Sequence, residues 1–123
     1  MASRTWLGSA IAAAALAVSC ASTPPPRDEI ADAEEAIAQA RARDAATHAP
    51  AALRKAEDKL ARAHSAARED DDKEENVRRA RRFAEEAKVD AQVALAESER
   101  AQTQRNVDEL ARTIEALEKE VEK

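Results

Sequence analysis

The chain has no tyrosine, one glycine, one cysteine and an aromatic content of 2%, supplied by Trp6 and Phe83 alone. Each scarcity excludes something. Strands draw on aromatic and β-branched side chains, so the composition speaks against a sheet protein. The single glycine, Gly8, lies in the N-terminal apolar stretch, so a glycine-rich phosphate loop has no material to form from. A lone cysteine has no intramolecular disulfide partner. Long hydrophobic runs are also missing: the main apolar stretch, Trp6 to Val18, is too short to span a bilayer as a helix. What remains is rich in Ala, Glu, Lys and Arg with 37% charged residues, the composition of long helices and coiled coils.

That short apolar stretch nevertheless has a position and a grammar. Arg4 and the α-amino group give it a basic start, Leu16-Ala17-Val18-Ser19 close it with small residues, and Cys20 follows at once. This is the layout of a secretory signal peptide. The run Leu16 to Cys20 resembles the bacterial lipobox, with a small residue before the cysteine. It departs from the usual pattern in having Ala17, rather than a branched aliphatic residue, three positions upstream. The resemblance implies cleavage after Ser19, lipid attachment at Cys20 and anchoring by two or more acyl chains, the number that gives stable membrane binding. Ala17 and Ser19 also satisfy the small-x-small rule of ordinary secretory cleavage, which would release a soluble chain instead.

If residues 1–19 are removed, Arg4 is the only charge lost, leaving 19 basic against 25 acidic side chains and a net charge of −6. An acidic balance disfavours nucleic acid and anionic lipid headgroups as partners. Residues 20–27 contain Pro24-Pro25-Pro26, which prefers the extended polyproline form and suits a tether.

Beyond the tether the apolar spacing is helical. Ile30, Ala33, Ile37 and Ala40 predict a first helix over about 28–46, and Pro50 starts a second through Leu53, Ala56, Leu60, Ala63 and Ala67, ending near Glu69. Asp72 with Glu75 has the spacing of a capping box, and no Gly or Pro follows through to Lys123. The third helix should therefore be about 50 residues, roughly 75 Å long. Its first half bears a ladder of Val77, Ala80, Ala84, Ala87, Ala91, Ala94, Ser98 and Ala101. Its second half bears Val107, Leu110, Ile114, Leu117 and Val121, a stripe turned by about 120° from the ladder. The expected fold is all-α: an antiparallel hairpin packed on the first half of a long third helix, with residues 28–101 as the bundle and 102–123 as a projecting, coiled-coil-like tail. With Val107, Ile114 and Val121 as a and Leu110 and Leu117 as d, the tail has the residue types of a parallel dimer.

Residues 28–101, with Ala45-Ala-Thr-His-Ala-Pro-Ala-Ala-Leu-Arg-Lys-Ala-Glu-Asp-Lys-Leu-Ala-Arg-Ala and the alanine ladder after it, resemble domain-of-unknown-function family 4398. That resemblance implies a bacterial envelope lipoprotein. Some members carry a peptidoglycan-binding domain after the helical part, and the family brings no established activity. The lipid cysteine, helical body and final Lys123 are similar in outline to the murein lipoproteins, whose last lysine is joined to peptidoglycan; the acidic Glu120-Val121-Glu122 before it departs from their basic, aromatic end.

Chemistry-bearing clusters are few. His48 and His64 lack a second ligand at helical spacing. Asp70, Asp72 and Glu74 alternate as in a calcium loop, but Glu75 replaces the turning glycine and Arg81 the bidentate glutamate. Arg78, Arg79, Arg81 and Arg82 are expected to pair with Glu74, Glu75, Glu85 and Glu86 at i,i+4 spacing. No cofactor and no catalytic set is expected. The functional expectation is a non-enzymatic, lipid-anchored periplasmic interaction protein of the cell envelope, most simply at the outer membrane. Its expected partners are the membrane through Cys20, a second copy or a helical protein, and peptidoglycan. The alternative is a soluble secreted module that uses the C-terminal stripe to hold a helix or an apolar ligand.

Overall fold

The computed structural model describes residues 24–69 and 72–122. Cys20 and Lys123, and the Asp70 and Asp71 of the acidic run, lie outside them. Among the described residues all regular structure is helical: α1 (Arg27–Ala42), α2 (Ala45–His48), α3 (Pro50–Ala66) and α4 (Lys73–Val121). No helix among them is long and apolar enough to cross a membrane.

The first helix is shorter than its spacing predicts. It ends at Ala42, and Asp44 adopts the left-handed conformation (φ 59°, ψ 30°) before the one-turn α2 begins. Aspartate is among the few non-glycine residues that tolerate this region, because its short polar side chain bonds locally. The Asp44 amide donates to Arg41 O (3.0 Å), and the amides of Thr47 and His48 donate to Asp44 O (2.9 and 3.1 Å). Pro50 then occupies the first turn of α3, where its missing N–H removes no helical hydrogen bond. The second helix also stops before Glu69, at Ala66.

Asp72 caps α4 as its spacing predicts. Its carboxylate accepts from the Glu75 amide at 3.2 Å, satisfying one of the unpaired donors of the helix N-terminus. The helix then runs 49 residues, about 73 Å.

α4 is the spine to which α1 and α3 both attach. Ala80, Ala84, Ala87, Ala91, Ala94 and Ser98 are buried along it, facing Ala33, Ala36, Ile37 and Ala40 of α1 and Leu53, Ala56, Ala63 and Ala66 of α3. Small side chains on all three faces set short helix separations. Near the α1–α2–α3 turn, Ile37, Ala40, Ala45, Ala49 and Leu53 pack on Ala91 and Ala94; nearer Pro26, Ala33 and Ala63 pack on Ala84 and Ala87, bordered by Ile30 and Phe83. Leu60, half-buried, touches both groups.

The ion pairs give the chain directions. Along α1 and α4 the partners rise together, Glu29 with Arg81, Asp32 with Lys88 (2.7 Å) and Arg43 with Glu99 (3.9 Å), so these helices are parallel. Along α3 and α4 they run oppositely, Lys59 with Asp90 (2.7 Å) and the later Glu69 with the earlier Arg79 (3.4 Å). α1 and α3 are antiparallel too, through Arg41 with Glu57 (2.6 Å) and Glu34 with His64 (3.0 Å). The architecture is the all-α bundle expected, with the start of α4 beside Pro24, whose carbonyl accepts from Arg81.

Candidate functional site

The polar surface of the bundle is organised between helices rather than along one. The four expected i,i+4 arginine pairs are absent among the described residues. Arg78 pairs with Glu75 at i,i+3 (3.2 Å), and Arg79 reaches Glu69 and the side-chain oxygen of Asn76 (3.1 Å). Arg81 crosses to Glu29 of α1, and Arg82 lies over the Phe83 ring, 5.8 Å from its centre. Spacing along a helix brings these charges near one another, but docking of α1 supplies Arg81, half-buried at the α1–α4 seam, with a closer partner.

Electrostatics follow from the same contacts. The Glu29 carboxyl is held below its ordinary value of 4.5, first by backbone N–H donation in the opening turn of α1, opposed by desolvation and assisted by Arg81. Lys59 is raised above 10.5, chiefly by the Asp90 carboxylate, with Glu86 (3.3 Å) adding to it. Lys88 is raised as well, through Asp32.

Both histidines are engaged by the fold. His64 meets Glu34 across the α1–α3 seam, and Nε2 of His48 accepts from the Arg105 guanidinium. That last contact places the turn before α3 level with Arg105 on α4. Just below it, Ser98 Oγ and Gln102 Nε2 (2.8 Å) both donate to Arg43 O at the C-terminus of α1. The serine in the alanine ladder is thus a cap for a neighbouring helix, a role that its position in the ladder does not reveal.

An open surface hollow of about 500 Å³ lies at the other end, between Pro25 and Pro26, Ile30, Ala66 and Val77. The remaining surface of interest is on α4. Val107, Leu110, Ile114, Leu117 and Val121 are all exposed, as is every other described residue from Thr103 onward. The structure brings these five residues together on one face, beyond the reach of α1 and α3, and a shallow trough runs between Ile114, Leu117 and Val121.

Two further large apolar residues are exposed, Val89 and Val93. They sit beside the alanine ladder in sequence and were not singled out by the spacing of either stripe.

The family model described as a domain of unknown function, DUF4398, matches residues 28–110. The chain belongs to that family. The match covers α1 to α3 and runs along α4 as far as Leu110, past the point where the two shorter helices stop supporting it. No curated protein and no solved structure matches the chain.

Proposed function

We propose that this DUF4398 chain is a non-enzymatic, lipid-anchored interaction protein of the bacterial cell envelope, held by acyl chains on Cys20 and presenting its long helix away from the membrane. The observation that carries the reading is the order of parts. A lipobox-like Ser19-Cys20 is followed within a few residues by Pro24-Pro25-Pro26, and the tether enters the bundle at the end where α4 begins. An anchor on Cys20 therefore sits at the base of α4, and the opposite end of α4 stands about 73 Å away. With the anchor in the outer membrane, that distance carries the exposed Val107–Val121 face toward the cell-wall layer.

Such a protein works by placing a surface at a fixed height. The bundle holds α4 rigidly over its first half, the acidic net charge keeps the chain off anionic headgroups, and the uncovered stripe is left for a helical partner.

The test is fractionation of the full chain. The unaltered protein should be recovered with membranes and released by detergent, and Cys20→Ala should shift it to the soluble fraction or leave it as an uncleaved precursor. An unaltered chain that is soluble from the start supports the secreted binding module instead.

A further inference from the structure

The seven large apolar side chains exposed among the described residues are Val89, Val93, Val107, Leu110, Ile114, Leu117 and Val121, with exposures from 43% to 86%. All seven belong to α4, and all seven fall on one heptad register. Counting back from Val107 by alternate steps of four and three passes Thr103, Arg100, Ala96, Val93 and Val89, each of them exposed. The two valines and the tail stripe are therefore one seam, with Val93, Arg100, Val107, Ile114 and Val121 at a and Val89, Ala96, Thr103, Leu110 and Leu117 at d.

The seam stands clear of the bundle core. Val89 and Val93 are each two residues from the buried Ala91, and Ala96 is two from both Ala94 and Ser98, a rotation of about 160° in every case. The ladder thus occupies the b and f positions, covered by α1 and α3, while a and d look out from the back of α4. A tail of 107–121 spans about two heptads, short of the three or four that sustain a coiled coil. The seam from Val89 to Val121 spans nearly five, about 48 Å.

We infer that a second copy of this chain covers the whole seam, as a parallel dimer in which two bundles stand back to back from Val89 upward. The inference deepens the proposed interaction role by naming its partner, and it rests on the tail-pairing reading but not on the lipid. Charge selects the orientation. In parallel register the knob at a fits between residues that include the preceding g of the facing helix, so Arg100 lies against Glu99 of the second copy, twice by symmetry. The flanking g–e contacts then join Gln92 with Glu97, Glu99 with Gln104, Asn106 with Ala111 and Thr113 with Glu118, with no like-charge pair among them; only at the lower edge of the seam does Glu85 face Asp90. Full-length antiparallel overlap places Arg100 against Leu110 and Asp90 against Glu118, an unpaired charge in an apolar layer and a repulsion. A single charged a layer is also a device that fixes register and strand number at some cost in stability. Upstream of Val89 the same register continues through Glu86, Arg82 and Arg79, all charged, so the apolar seam stops there.

The experiment is photo-crosslinking of the purified full chain in detergent, with benzoyl-phenylalanine placed singly at Val93, at Ile114 and, as a control on the opposite side of the tail, at Arg112. The expected result is a product of twice the chain mass from Val93 and Ile114 but not from Arg112, with the Val93 adduct mapping to residues near 89–100 of the second copy. A dimer from Ile114 alone confines pairing to the tail and overturns the extended seam; a Val93 adduct near Leu117 overturns the parallel orientation; no dimer from either overturns self-association altogether. The charged layer has its own readout: Arg100→Glu should weaken dimerisation about tenfold, and adding Glu99→Arg should restore it, whereas unchanged affinity in both variants contradicts the Arg100–Glu99 contact.

Discussion

Ser98 shows how one side chain supports the end of a neighbouring helix. It is fully buried in a ladder made mostly of alanine, and its hydroxyl, with the Gln102 amide, satisfies Arg43 O just past the end of α1. A typical hydrogen bond contributes about 1 kcal/mol, while alanine is favoured over serine in a helix by roughly 0.5 kcal/mol. Ser98→Ala is therefore expected to lower stability by only about 0.5 kcal/mol, because Gln102 still donates. Ser98→Ala with Gln102→Ala removes both donors and should cost about 2 kcal/mol, more than the two single changes together. Denaturant melts of the four proteins check this; additive single effects would mean that the two donors act independently.

At the scale of elements, alanine decides how the helices meet. A core of alanines contributes little area at roughly 25 cal/mol per Å², and its return is the close approach of α1 and α3 to α4. Ala87→Leu inserts three carbons where no space is left and is expected to cost about 1–3 kcal/mol, seen as a fall in the thermal midpoint. Val89→Leu, two residues away on the open face, should not lower it; equal losses from both would contradict the assignment of faces. The ladder, the Asp72 cap and the start of α3 at Pro50 were legible in the sequence because each rests on local periodicity or backbone chemistry. The break at Asp44 was not, since an aspartate in the left-handed region leaves no glycine or proline to mark it. Nor was the partner of Arg81, which depends on where α1 docks. The phase of Val89 and Val93 was present in the letters but hidden behind the stronger alanine ladder, and burial was needed to show that two registers share one helix.

For the whole molecule the decisive feature is polarity. α1 and α4 run in parallel, α3 runs opposite to both, and the Pro24–Pro26 segment enters where α4 starts. After Arg105, level with His48, sixteen further residues carry α4 to Val121, about 24 Å beyond the last support from the bundle. A rod of this kind has a base and a tip only if something fixes the base, and the proposed role stands on lipid at Cys20 doing so. The most direct measurement is the mass of the N-terminal peptide of the mature chain purified from membranes. The account predicts a peptide beginning at Cys20 and heavier than its sequence by a diacylglyceryl group, with or without a third acyl chain on the new amine; an unmodified Cys20, or a mature chain that begins elsewhere, would contradict it.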